Sequence, residues 1–144
     1  PGTILGRTTK NQITDLFDRP VILGLRGSAT PFVFIWDQDL IGILRRGIET
    51  DEIGVYNVAG DGVMTMKEIA NHLDKRYLTL PAGLVRGVLW ALRRLRLTQY
   101  GPEQVDFLRY RPVLDNTKLK QVFGYVPRKT SAEAFAVFAE SRSG

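Results

Sequence analysis

Phe32-Val33-Phe34-Ile35-Trp36, then Asp37-Gln38-Asp39-Leu40-Ile41-Gly42-Ile43-Leu44, then Val55-Tyr56-Asn57-Val58-Ala59: these three stretches decide the fold. The first is apolar without alternation, the pattern of a strand buried on both faces at the centre of an α/β sheet. Asp37 or Asp39 can cap a helix that carries Leu40, Ile41, Ile43, Leu44 and Ile48. Residues 55–59 read as a second strand, closed by the turn residues Gly60-Asp61-Gly62. Strand, helix, strand is the βαβ order of a parallel sheet.

Working outward, Ile13, Leu16 and Phe17 have helical spacing, Pro20 ends that short helix, and Val21-Ile22-Leu23 forms a short strand. On the other side, Thr65-x-x-Glu68 is a capping box, in which hydroxyl and carboxylate satisfy each other's free backbone N–H groups. It opens a helix with Ile69, Ala70 and Leu73 inward. Residues 77–80 read as an edge strand before Pro81, and residues 82–95 as a helix with Val85, Val88, Leu89, Leu92 and Leu95 on one stripe. Its other side bears Arg86, Trp90, Arg93 and Arg94. A short helix through Val105, Phe107 and Leu108 is expected next, then extended Val113-Leu114 and a helix from Asp115 or Asn116 to Phe123 that Gly124 stops. Thr130-x-x-Glu133 is a second capping box, for a helix bearing Phe135, Val137 and Phe138.

The 144 residues (16.2 kDa) suffice for one core, and one is expected. The absence of cysteine removes disulfides, thiolate metal sites and cysteine nucleophiles. His72 is the only histidine, so a catalytic triad or a His-based zinc site cannot be assembled within one chain. At the end of its helix, His72 reads as a cap. The net charge of +5 is compatible with nucleic acid, an anionic membrane or a phosphorylated small molecule. Residues 65–97 have the outline of a helix-turn-helix DNA reader, and a DNA-binding or other non-enzymatic interaction domain is the alternative function, but Asp74 to Pro81, with its apolar strand-like run, is too long for that motif's turn of about 3–4 residues. A basic helix with Trp90 also suits a membrane surface; its apolar stripe is what a core-facing helix needs in any case, and that argues against a membrane. Tyr125-x-x-x-Lys129 has the spacing of a tyrosine base and its lysine, yet Pro127 denies it a helix. Gly24-Leu25-Arg26-Gly27 and Gly60-Asp61-Gly62 lack the third glycine of a dinucleotide fingerprint. The start at Pro1, without methionine or a secretory signal, leads us to expect a portion of a longer protein.

The order of motifs resembles the C-terminal portion of the extended short-chain dehydrogenase/reductase family, the NAD-dependent epimerase/dehydratase group that includes UDP-glucose 4-epimerase-like proteins. Four stretches carry the resemblance: Ile4-Leu5-Gly6-Arg7 with 11–17, Phe34 through Ile41, Val55 through Gly60 with Thr65-Met66-Lys67-Glu68-Ile69-Ala70, and Asp115-Asn116-Thr117-Lys118-Leu119 through Phe123-Gly124-Tyr125-Val126-Pro127. Trp36 stands where the family usually shows His, which points to an apolar or smaller substrate at that edge. The resemblance implies an α/β fragment: the last strands of a Rossmann-type sheet plus a small, mainly helical substrate-binding lobe. The dinucleotide-binding half, with its glycine turn and catalytic Tyr-x-x-x-Lys, is expected to be absent, so no catalytic residue carries over. No cofactor is expected in this chain, and NAD or NADP is implied for the complete enzyme. The implied partners are a small-molecule substrate such as a nucleotide sugar, and either the missing half or a second copy; nucleic acid and membrane are not expected, and the location is expected to be cytoplasmic. Arg109 and Arg111 flank Tyr110, where epimerases of this family often place an arginine on the nucleotide diphosphate. In an extended segment both would point to one side, suiting phosphate oxygens. The alternative is surface pairing with Glu103, Asp106 or Asp115. Asn11 is a further candidate for the same pocket.

Overall fold

Phe34 and Ile35 point to opposite faces of one strand, and both are fully buried. The computed structural model describes residues 1–27, 30–97 and 113–143. The single core expected from chain length is not what forms. The chain folds as two compact units, because it leaves the first unit after Asp18, returns at Phe32, leaves again after Met64 and returns at Val113.

In the first unit, β1 (Thr3–Leu5) pairs parallel with β3 (Phe34–Trp36), with Ile4 opposite Ile35. On one face of this pair, Phe17 of α1 (Gln12–Phe17) is the hub of an aromatic cluster. Its ring meets those of Phe32 and Phe135 edge-on at 5.6 Å, and those of Phe34 and Phe138 at 6.1 Å. Each such pair adds roughly 0.5–1.5 kcal/mol beyond area burial. On the other face, Ile35 packs with Ile43, Leu119 and Phe123. Burial of this strand on both faces is therefore as its composition indicates.

The caps explain where the helices start. Asn11 Oδ1 accepts from the backbone N–H of Ile13 and Thr14, while Asn11 N–H donates to Thr14 Oγ1. Thr130 and Glu133 form the expected capping box at the start of α6 (Ser131–Glu140). The helix α2 (Asp37–Glu49) differs from expectation, since neither Asp37 nor Asp39 caps it: Trp36 is the N-cap residue, with no side-chain bond. Residues 55–59 also depart from expectation and form no strand. They share only isolated backbone bonds with the sheet, from Gly2 N–H to Val58 O and from Gly60 N–H to Phe34 O. Asn57 Nδ2 instead donates to Asp115 O, and Lys118 Nζ reaches Val55 O, so one side chain from each segment ties this stretch to residues 115–118. The helix expected to run to Phe123 widens into a π-helical turn, α5 (Leu119–Phe123), ended by Gly124 at φ +80°.

In the second unit, β2 (Val21–Leu25) pairs parallel with β4 (Arg76–Leu80), and α3 (Met66–His72) packs against both. The Thr65–Glu68 box caps α3 as expected, and exposed His72 is its last residue. The strand β4 stands between α3 and α4 (Ala82–Arg94), which removes the helix-turn-helix alternative. The apolar stripe of α4 is not in a core either. Val85, Leu89 and Leu92 are half-buried, Val88 and Leu95 are exposed, and no residue of the helix is fully buried. The short helix expected through Val105, Phe107 and Leu108 lies outside the described residues.

Truncating the hub of the aromatic cluster leaves a cavity that surrounding rings cannot fill. Phe17→Ala is expected to lower the unfolding free energy by about 3–5 kcal/mol, read from urea melts followed by circular dichroism. A loss below about 1 kcal/mol contradicts the packing described.

Candidate functional site

Parallel strands β1 and β3 end side by side at Leu5 and Trp36, and in open α/β sheets ligands bind outside the carboxyl ends of the strands. A groove of about 720 Å³ opens there in the first unit. Arg7 and Thr8 follow β1, Trp36 ends β3, Asp37 and Gln38 follow it, and Lys129, Glu133, Ala136, Val137 and Glu140 come from α6 and the residue pair before it. At Gly6 a β-carbon would fall on the Asp37 carboxylate, so a side chain there would displace that acid.

The indole of Trp36 carries two cations. Lys129 Nζ lies 4.8 Å and Arg128 Cζ 5.1 Å from its ring centroid. A carboxylate in the first turn of α2 positions both. Fully buried Asp39 accepts through Oδ1 from Tyr125 OH (2.8 Å), Arg128 N–H (3.0 Å) and Arg128 Nε (3.4 Å), and through Oδ2 from Lys129 N–H (3.1 Å). The Tyr125 phenol is pushed above its ordinary value, first by burial and then by its bond to the Asp39 carboxylate. Tyr125 is therefore a structural donor, and Pro127 does separate it from any base role with Lys129. At the groove wall, the hydrogen bonds from Thr130 hold the Glu133 carboxyl below its usual range, so it is ionised at neutral pH. The groove can bind a ligand by charge and by a flat aromatic surface.

Below it, the 59–62 turn is locked from two sides. Asn116 Nδ2 donates to Ala59 O and Asp61 Oδ1, while Ser131 Oγ donates to Gly62 O and accepts from Phe34 N–H. Lys120 pairs with Asp61 at 2.9 Å, and that bond leads the effects that depress the Asp61 carboxyl. Gly60 is packed, not open: a β-carbon there would lie 2.8 Å from Lys129 O and 3.0 Å from Phe34 O. Any side chain at position 60 would collide with backbone on two sides of the turn.

Of the candidates read from sequence, Asn11 lines a shallower groove of about 350 Å³ with Gly2, Thr3, Ile4, Gln12 and Ile13. Its side chain caps α1 and donates to Ile4 O at 3.1 Å. Arg109 and Arg111 lie outside the described residues. Sequence reasoning missed Asp39 as the organiser of the site. Its partners lie 86 to 90 positions away, and only the invitation of an acid after an apolar strand marked it.

Over 99% of its length, the chain superposes on part of a UDP-N-acetylglucosamine 4-epimerase from Bacillus cereus (TM-score 0.64, 14% identity, 46% of that chain). Its fold is part of an epimerase fold. A UDP-glucose 4-epimerase from Thermotoga maritima (TM-score 0.61, 12% identity, 44% of that chain) and a UDP-galactose 4-epimerase (TM-score 0.57, 17% identity, 43% of that chain) match over the same 99%. In sequence, uncharacterized proteins of Mycobacterium tuberculosis and Mycobacterium bovis are 27% identical over 144 residues, which is 92% of this chain and 37% of each relative. The chain thus spans well under half the length of the proteins it resembles. No protein-family profile matches it.

Two outcomes test the Asp39 tie. Asp39→Ala removes the buried acceptor of the Tyr125 hydroxyl and of the backbone N–H groups of Arg128 and Lys129, and is expected to cost about 2–4 kcal/mol of stability in urea melts. The Tyr125 proton gives a pH signature. The folded state keeps it where the unfolded chain, with a phenol near 10, has lost it, so this stabilisation is complete below about pH 10 and is lost as pH rises through the folded-state value. Tyr125→Phe is expected to flatten the alkaline fall of stability, and to remove a high-pH component from the ultraviolet titration of the chain's five tyrosines.

Proposed function

We propose that this chain is the substrate-holding portion of an NAD(P)-dependent sugar-nucleotide epimerase, dehydratase or related reductase. The single observation that carries the reading is the match of 99% of the chain to part of a UDP-sugar 4-epimerase fold at TM-score 0.64. The groove at the carboxyl ends of β1 and β3, where Arg7 and Lys129 stand among Asp37, Glu133 and Glu140, adds support from its position. The sequence lacks the third glycine of a dinucleotide fingerprint, and in this reading the cofactor belongs to a separate half of the complete protein, which works as an isomerase or oxidoreductase in the cytoplasm. NAD or NADP bound there supplies hydride transfer. The residues of this chain bind and orient. Arg109 and Arg111 are the candidates to hold diphosphate oxygens, since guanidinium groups suit them, and Asn11, whose side chain caps α1 and meets β1, is a further candidate for the substrate.

Calorimetry on the protein that includes its dinucleotide-binding half tests the proposal. A UDP-sugar should bind, and Arg109→Ala or Arg111→Ala should weaken that binding by about 1.5–3 kcal/mol, as expected for a lost charged hydrogen bond, with cofactor affinity unchanged. The isolated 144-residue chain should not bind NAD tightly. Micromolar NAD affinity in the isolated chain, or indifference of the complete protein to every UDP-sugar, overturns the reading.

A further inference from the structure

Among the described residues, the sheet of the first unit is closed along one edge and open along the other. At β3, Phe34 N–H donates to Ser131 Oγ and Phe34 O accepts from Gly60 N–H, so the outer edge of this strand is taken. The strand β1 pairs with β3 alone. Thr3 N–H bonds Val33 O, so the backbone groups of Ile4 point the other way. There they meet the Asn11 cap, which donates to Ile4 O, and the groove of about 350 Å³ that runs past residues 2–4.

The helix layer is open on the same side. Helix α2 packs on Ile35 through Ile43, and one of its flanks is filled. A β-carbon at Gly42 would meet the Tyr125 ring, and Arg46 Nε donates to Phe123 O, so this flank lies against α5 and the residues after it. The α5 turn in turn stands at the closed edge, because Asn116 and Lys120 bind Ala59 O and Asp61 on either side of Gly60. The opposite flank of α2 therefore faces the β1 side. It carries Ile41, Leu44 and Ile48, which are 49%, 60% and 87% exposed and form one stripe at spacings of three and four residues. Leu40, between that stripe and Ile43, joins the same cluster as Ile4 of β1.

An open strand edge beside an apolar helix flank is the side on which a parallel sheet and its helix layer continue. Two strands are fewer than an independently stable sheet needs. Chain length indicates the occupant. The chain matches 43–46% of the solved epimerase chains and 37% of each curated relative, so more than half of each lies beyond the matched part.

We propose that Ile41, Leu44 and Ile48 of α2, together with the outer edge of β1, form the docking face for the dinucleotide-binding half of the complete protein, which lays its next strand beside β1 and a helix on this stripe. The inference rests on the reading of the chain as one portion of an epimerase-like protein.

Hydroxyl-radical footprinting read by mass spectrometry, run on the complete protein and on the isolated 144-residue chain, tests this. Oxidation of Ile41, Leu44 and Ile48 should fall several-fold in the complete protein, while exposed Val126, on the α5 side of the same unit, should be oxidised equally in both. Leu44→Asp with Ile48→Asp should lower the urea midpoint of the complete protein and leave that of the isolated chain unchanged, because both positions are in water there. Equal oxidation of the three residues in both proteins overturns the proposal. So does protection that appears in the isolated chain as its concentration rises and does not increase in the complete protein, which assigns the face to a second copy. An unprotected stripe in a complete protein that binds UDP-sugars removes this inference alone, and a protected stripe in one that binds none supports it while removing the functional reading.

Discussion

The buried Asp39 carboxylate is the constraint on which the candidate site depends. It sits in the first turn of α2, at the end of the most buried strand, and each of its oxygens accepts from the loop that leads to α6. An unpaired carboxylate in such surroundings is costly, so the loop must come to it. When the loop comes, it brings Arg128 and Lys129 over Trp36 and sets the start of α6, whose outer face forms the groove wall. The groove is therefore a consequence of how one charge is satisfied.

Two kinds of feature were legible in sequence. The first is local hydrogen bonding: the boxes at Thr65 and Thr130 act over three residues and form as their spacing indicates. The second is burial of a whole strand, where composition alone marks Phe34 and Ile35 as facing two cores. Legibility ended where partners are remote. Asp39 looked like a cap because acids at helix starts usually are caps, and nothing nearby in the chain announces Tyr125 as its donor. Residues 55–59 have strand composition, yet a strand needs a ladder, and Val58 O makes one backbone bond, to Gly2, while Asn57, Lys118 and Asn116 tie the stretch down through side chains. Helical periodicity predicted the α4 stripe correctly, but amphipathicity identifies a face without saying what it faces.

The site shows a similar division. Trp36 was noticed as a departure from a polar residue, which implied a less polar pocket edge. The structure adds the cations stacked upon the ring, so the edge is flat and positively charged at once. Arg128 and Lys129 are adjacent in sequence and lie after a proline; only the Asp39 bonds to their backbone N–H groups turn both side chains to the same indole.

The two units differ in how well they satisfy their own apolar surface, and the difference follows from topology. The first unit covers both faces of a two-stranded parallel sheet, with five phenylalanines on one side and the Ile43–Leu119–Phe123 cluster on the other. The second has the same kind of sheet, and α3 supplies Met66, Ile69 and Ala70 to its core, but Leu23 and Leu78, opposite each other in the ladder, are both half exposed. Parallel sheets are most stable when both faces are covered, so the exposed Leu23–Leu78 pair marks the second unit as the less satisfied of the two.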